Sequence, residues 1–256
     1  MSIPKTEAIV LNKRDFRETS LIVDFYTRDF GKISGLLKGI RADPRKFAST
    51  LEPYSFNEII FYKKRNSALH LVSQCDLRHN YNVVRKDIMK SANAILICEL
   101  IHSVMGQEDK NEDIFNLAKE TLEALESNSS HTEKITLIFK IKLLTLSGFQ
   151  PHFESCVSCG TKITQEAKFS LSQGGLLCSG CFPKDTHART IFRGTIASIL
   201  HIQKNDMRTN LNLGLNPEIK KELSQILHAF FSFHLEKDFR AERVLKQLRS
   251  LEPAIQ

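Results

Sequence analysis

Six cysteines stand in the 256 residues, and four of them fall in two tight pairs, Cys156-Val157-Ser158-Cys159 and Cys178-Ser179-Gly180-Cys181. The 18 residues from Gly160 to Leu177 separate the pairs, giving C-x2-C-x18-C-x2-C, a spacing expected of a four-thiolate zinc site. Zn²⁺ takes a tetrahedron of soft ligands with each sulfur about 2.3 Å away, and a C-x2-C turn lets two sulfurs meet one ion while backbone amides point at them. Gly160 and Gly180 are expected to supply the positive-φ freedom that such turns use. With Cys156, Cys159, Cys178 and Cys181 as ligands, no coordination position is left for water, so one Zn²⁺ is expected to staple a fold and not to hydrolyse a substrate. A redox dithiol and an iron–sulfur site are the competing uses of the same thiols. Structural zinc in peptide systems supplies about 10–16 kcal/mol of apparent binding energy, comparable to the stability of a whole domain. Cys75 and Cys98 lie in strand-like and apolar runs and read as buried small hydrophobes.

The second chemical feature is a basic stretch. Lys32 to Phe47 carries five cations, Lys32, Lys38, Arg41, Arg45 and Lys46, against the single carboxylate of Asp43. On a strand and its following loop these cations could track a phosphate backbone. Phe47 or Tyr54 could stack on a base, but a small barrel needs most of its rings inside, so packing is the expectation for both. The acidic cluster Glu108, Asp109, Glu112 and Asp113 matches no metal loop. It immediately precedes a helical pattern starting at Ile114, where carboxylates favour the positive end of the dipole. His152 and His187 flank a ligand set that is already complete. No phosphate-binding loop, zinc-protease helix, nucleophile elbow or kinase signature is present, and no catalytic residue is assigned.

The elements that must position these residues change character along the chain. From Thr6 to Leu77 the pattern is short and β-like: 8–11, 21–26, 32–37, 56–62 and 69–72 are rich in β-branched and aromatic residues, with turn signals between. Five short strands in so few residues suggest a closed or nearly closed barrel, because open edges would be sticky. After Tyr81 the period becomes helical. Ile88, Ala92, Ile95, Leu96 and Glu99 lie on related turns of one predicted helix, and Ile114, Ala118, Leu122 and Leu125 form the stripe of a second. A third, 132–146, is apolar on most sides and ends at Ser147-Gly148 before Pro151. Phe169-Ser170-Leu171-Ser172 and Leu176-Leu177-Cys178 flank Gln173-Gly174-Gly175 as a hairpin that presents the second cysteine pair. Helices are expected at 195–203, from Asn216-Pro217-Glu218 onward, with Asn as cap and Pro in the first turn, and at 241–248.

Composition bounds the function classes. With 25% charged and 41% hydrophobic residues, the chain can bury a sizeable core, which excludes collagen-like, coiled-coil-only and wholly disordered readings. No apolar run approaches the roughly 18 residues that span a bilayer, and the first residues lack a signal-peptide core; a cytoplasmic protein without membrane association is expected. The formal net charge is +7. Residues 1–85 hold 15 Lys or Arg against 9 Asp or Glu, so nearly all of the excess lies in the β-rich part. A basic module in such a protein raises nucleic acid or an acidic protein partner as candidates, with an anionic membrane surface ranked last.

Several motifs together resemble a known family. They are Phe30-Gly31-Lys32-Ile33, Leu37-Lys38-Gly39-Ile40-Arg41, Leu51-Glu52-Pro53-Tyr54-Ser55, Leu146-Ser147-Gly148-Phe149-Gln150-Pro151 ahead of Cys156-Val157-Ser158-Cys159-Gly160, and Phe169-Ser170 followed by Gly174-Gly175-Leu176-Leu177-Cys178. In order and spacing, over roughly residues 1–250, they resemble the bacterial recombination and repair mediator RecO. One departure is Ala42-Asp43-Pro44, where related sequences often carry a basic, Ser-containing run. The resemblance implies an α+β multidomain fold: an N-terminal OB-fold β-barrel over 1–80, an α-helical bundle beginning at 81–150, a four-cysteine zinc ribbon inserted at 151–183, and C-terminal helices over 184–256 that complete the helical domain. It also implies a job without covalent chemistry: binding single- and double-stranded DNA in the nucleoid, annealing complementary strands and, with RecR, helping recombinase load on strands coated by the single-stranded-DNA-binding protein. The acidic, hydrophobic C-terminal tail of that coating protein is a candidate ligand for the helical part. The rival reading is an RNA-binding OB-fold protein with a structural zinc ribbon.

Overall fold

The computed structural model describes residues 3–63, 67–127 and 131–251. The chain forms two compact units: Met1–Thr132 together with Phe239–Gln256, and Glu133–Asp238. Among the described residues no helix is long and apolar enough to cross a membrane.

The first unit is built on five strands, β1 (Lys5–Phe16), β2 (Ser20–Thr27), β3 (Gly31–Leu37), β4 (Phe56–Tyr62) and β5 (Leu69–His79). They close into a barrel in the order β1-β2-β3-β5-β4, with every neighbouring pair antiparallel except β3 and β5. This is the five-stranded, OB-like barrel expected of the β-rich segment. β1 serves both ends of the order because an irregularity between Val10 and Asn12 bends it, so that its first half pairs with β4 and most of its length with β2. Val10, Val23, Phe25, Ile33, Leu37, Ile59, Phe61 and Val72 fill the interior. Gly35 makes the closure possible: a Cβ there would lie 2.5 Å from a Val72 methyl and 3.0 Å from the Phe25 ring. Gly31 does a similar job outside the barrel, because with φ +64° it lets the β2–β3 turn touch the carbonyl of Asp109.

Helices α1 (Asn82–Lys86), α2 (Ile88–Val104), α3 (Glu112–Ser127) and α8 (Arg240–Leu251) complete this unit. Asp87 caps α2 through the Lys90 amide, and Asn111 accepts from Ile114 at the start of α3. α3 buries Ile114, Ala118, Leu122 and Leu125 as the stripe predicts. α2 departs from its prediction: Ile88 and Ile95 are exposed, whereas Ala94, Ile97, Cys98 and Ile101 are buried. The reason is that β1, α1, α3 and α8 surround α2, so its packed surface is wide and no single stripe defines it. Burial pushes the Cys98 and Cys75 thiols up to about 12, consistent with inert packing.

The second unit opens with α4 (Thr132–Leu146), buried on most sides as its composition predicts. A four-stranded sheet follows, in the order β6-β8-β7-β9, from β6 (His152–Cys156), β7 (Ala167–Ser170), β8 (Gly175–Cys178) and β9 (Arg189–Ile191). The β7–β8 hairpin is the expected one; β6 and β9 are too short and too polar to stand out in the sequence. Helices α5 (Arg193–Lys204), α6 (Met207–Leu211) and α7 (Pro217–Leu235) finish the unit. Asn216 caps α7 through the Ile219 amide with Pro217 in the first turn, and α7 packs Phe230 against Phe169 of the sheet.

One buried network ties the barrel to α2. Asp24 of β2 accepts from the Ser34 hydroxyl at 2.6 Å and pairs with Arg14 at 3.2 Å and with the His102 ring at 3.4 Å. Burial alone would raise the Asp24 pKa, but hydrogen bonds from His102 and Ser34 and the charge of Arg14 outweigh it and hold the carboxyl below its ordinary value. A carboxylate with a depressed folded-state pKa stabilises the fold above the unfolded value of about 3.9, and that contribution is lost as pH falls through the folded value. The melting temperature of the wild type should therefore exceed that of Asp24→Asn near neutral pH, with the gap narrowing below about pH 4. A gap that stays constant across a melting series in pH would remove Asp24 ionisation as the cause.

Candidate nucleic-acid interface and metal centre

The five cations of the basic stretch do not share one environment. Inward-facing Ile33, Gly35 and Leu37 alternate with outward-facing Lys32, Ser34 and Leu36, and Lys38 follows just beyond the strand. The C-terminal end of α2 covers the first part of this outer face. Lys32 is only 7% exposed, and its ammonium donates to the His102 carbonyl at 2.6 Å, where a cation also complements the negative end of the helix dipole. Lys32, grouped by the sequence with the cations that could track a phosphate backbone, is thus a buried one, because a helix about 70 residues later in sequence covers it.

Lys38, Arg41, Arg45 and Lys46 are exposed. Their loop is pinned to the β1–β2 hairpin: the Arg41 amide donates to Thr19 O at 2.9 Å, its guanidinium donates to Arg17 O at 3.3 Å, and it pairs with Asp15 at 3.4 Å. Asp43 caps the short 3-10 turn Pro44–Lys46 by accepting from the Arg45 amide, which leaves the Arg45 side chain 95% exposed. Lys46 donates to Lys38 O at 2.8 Å. The Asp43-Pro44 departure thus forms a turn that presents the cations around it. Arg14 and Arg17 are exposed on the adjoining hairpin and join this end of the barrel. Their sequence signal was the charge excess of residues 1–85, without the pairing that shows where they go.

Neither candidate aromatic is open. Phe47 is buried in the barrel core and anchors the basic loop. Tyr54 is buried under the Arg85 guanidinium, 4.2 Å from the ring centroid, with its hydroxyl at 3.2 Å from Ser91. Packing is the role expected for both. Of the acidic cluster, Glu112 and Asp113 occupy the first turn of α3 as expected. Glu108 precedes it and pairs with Lys63 at 2.7 Å, which with His70 holds its carboxyl below the usual range.

In the second unit the four cysteines converge. One sulfur of each of Cys156, Cys159, Cys178 and Cys181 lies within 4.8 Å of the others. Cys159 Sγ and Cys178 Sγ are 3.6 Å apart, close to the edge of about 3.8 Å that a tetrahedron with 2.3 Å metal–sulfur bonds requires. Local turns build the cluster: Gly160, at φ +75°, donates to Cys156 O, and Cys156 donates to Thr161 O. Gly180 does not adopt positive φ; the second pair instead enters a 3-10 turn at Ser179–Lys184.

The electrostatics favour a bound cation. At Cys156 burial works against the thiolate, but the backbone N–H groups of Cys178, Cys159 and Ser158 outweigh it and bring the thiol down to about 6. Cys159 is lowered through hydrogen bonds with Thr161. Cys181 is pushed up to about 11, first by burial and then by the neighbouring sulfurs of Cys159 and Cys178. Four sulfurs this close cannot all be thiolates unless positive charge sits among them. His152 and His187 stay outside; His152 bonds Ser155 instead.

The comparisons with known proteins agree with this architecture. The family model described as Recombination protein O N terminal matches residues 1–81, and that described as Recombination protein O C terminal matches residues 85–243. The protein named DNA repair protein RecO from Alkaliphilus metalliredigens is 29% identical over 245 residues, covering 95% of this chain and 99% of its own length. The protein of that name from Caldanaerobacter subterraneus is 29% identical over 242 residues, covering 94% and 97%. That from Dehalococcoides mccartyi is 31% identical over 238 residues, covering 93% and 92%. With both family models matched in order, one on the barrel and one across the helices and the cysteine cluster, the chain belongs to the RecO family of DNA repair proteins.

Proposed function

We propose that the protein is a non-enzymatic recombination mediator of the cytoplasm and nucleoid. In this reading it binds single- and double-stranded DNA, anneals complementary strands and, with RecR, helps load recombinase on coated single strands. The observation that carries the reading is the set of four exposed cations, Lys38, Arg41, Arg45 and Lys46, held together at one end of an OB-like barrel. Two complementary strands repel each other, and a basic surface that neutralises their phosphates lowers that cost while leaving the bases free to pair. Lys32 we assign to holding β3 against α2, since its ammonium is bonded there.

The parts divide accordingly. The barrel, 1–80, carries the DNA-binding surface, and the helical parts, 81–150 and 184–256, take protein partners, among them RecR and the acidic tail of the single-stranded-DNA-binding protein. The ribbon, 151–183, is stapled by one Zn²⁺. The four-sulfur donor set fits zinc, and a filled shell leaves the ion structural. The alternative of an RNA-binding protein is the weaker one, because the family matched is one of DNA repair proteins.

Complementary strands coated with the cognate binding protein should anneal faster with this protein, without nucleotide, and adding salt should reduce the effect. Strands coated with tail-truncated binding protein should lose much of the acceleration. If the folded, zinc-loaded protein anneals neither kind of coated strand while it binds structured RNA, the RNA reading replaces this one.

Replacing Lys38, Arg41, Arg45 and Lys46 together by Ala should flatten the dependence of log affinity on log salt. The expected change is about 0.7 for each phosphate no longer neutralised, so about 3 for single strands. A titration series that returns the wild-type slope removes these residues from phosphate binding. The purified protein should release one zinc per chain on thiol modification. Cys156→Ser with Cys181→Ser should abolish that release and lower the melting temperature of the second unit, while single-strand binding by the barrel persists. Wild-type melting in the zinc-free double variant would show that the cysteines are not a staple.

A further inference from the structure

Strand register decides what shares the outer face of the barrel. Val23, Leu37 and Val72 point into the core, so their chain neighbours Ile22, Leu36 and Leu71 point outward. The pairings Arg14↔Ile22, Ile22↔Leu36 and Leu36↔Leu71 set these residues in one row across β1, β2, β3 and β5. One step closer to the hairpin tip, Phe16 pairs with Ser20, and Lys38 lies two residues beyond Leu36. The α2 end closes the opposite part of this face through Lys32 and the Asp24 network.

Ile22, in the middle of this row, is itself buried at 6% exposure, and what stays partly open is the apolar surface to either side of it, with a cationic border. Phe16, Leu36 and Leu71 are half-buried, while Arg14, Arg17, Lys38 and Arg41 are exposed. The Arg17 guanidinium lies 5.2 Å from the Phe16 ring centroid, and Arg41 fixes the same tip through Arg17 O. A ring beside several guanidinium and ammonium groups suits a polymer that alternates flat apolar bases with phosphates.

We propose that Phe16 is the base-stacking residue of this surface and that its occupant is single-stranded DNA: one unpaired base lies on the Phe16 ring while Lys38 and Arg41 take the flanking phosphates. The inference rests on the reading of this barrel end as the DNA-binding surface and adds to it a preference for unpaired strands. In a duplex each base is already stacked between its neighbours and offers no face to the ring, so Phe16 contributes to single-strand binding and not to duplex binding.

The sequence contains no tryptophan, so Phe16→Trp of the full chain carries a single indole at the proposed stacking position. Binding of an oligo(dT) and of a duplex with a similar phosphate count is measured by anisotropy of the labelled DNA. Stacking of one base at about 1–3 kcal/mol predicts that Phe16→Ala weakens oligo(dT) binding about 5- to 150-fold with an unchanged salt slope. Duplex affinity should stay within about twofold, and Phe16→Trp should bind oligo(dT) with its indole emission quenched. Wild-type affinity in a folded Phe16→Ala, an equal weakening on both DNAs, or indole emission that does not change while anisotropy reports binding would each overturn the proposal. If Phe16→Ala does not fold, the Phe16→Trp emission decides alone. Failure of the wild type itself to bind oligo(dT) would overturn the barrel-end reading along with it, an outcome separate from a defect confined to Phe16→Ala.

Discussion

Closing five strands into a barrel forces β3 and β5 together, and the closure depends on close approach at Gly35, where the Val72 side chain and the Phe25 ring occupy the space a side chain would need. Once β3 is locked into this parallel pairing, its alternation is fixed in space. Ile33 and Leu37 must face inward and Lys32, Ser34 and Leu36 outward, because a one-residue slip would turn every side chain to the other face. The position of the basic loop that follows β3 is thereby set, and so is its attachment to the β1–β2 hairpin through Arg41.

The outer face of the barrel is shared between packing and solvent. At one end α2 covers it, and the groups enclosed there are polar: Asp24 is partnered by Ser34 and the His102 ring, and Lys32 by the His102 carbonyl. Buried polar groups of this kind are tolerated because each has a partner. At the other end Phe16, Leu36 and Leu71 keep part of their surface in solvent, and exposed cations border them. Electrostatics and packing thus act on different rows of the same strands.

The cysteine cluster in the second unit works on a different principle. Its geometry comes from two tight turns and a hairpin. The thiols are poised unevenly, with backbone amides favouring charge at Cys156 and burial, then crowded sulfurs, opposing it at Cys181. A small sheet of short strands has little core of its own, so the proposed metal cross-link between its turns would offset what packing alone cannot supply.

Much of this was legible in the residues themselves. The cysteine spacing, the five β-rich segments, the stripe of α3, the Asn216-Pro217 helix start and the basic excess near the N-terminus are all short-range signals, set by bond geometry and by side-chain period. The role of Lys32, the exposure of Ile88 and Ile95, the strands β6 and β9, and the company that Phe16 keeps were decided by tertiary structure. Each depends on what comes to lie over a strand or helix from far along the chain, as when the carbonyl of His102 takes up Lys32. Charge and periodicity say that a residue can face water; only the packing of distant elements determines whether it does.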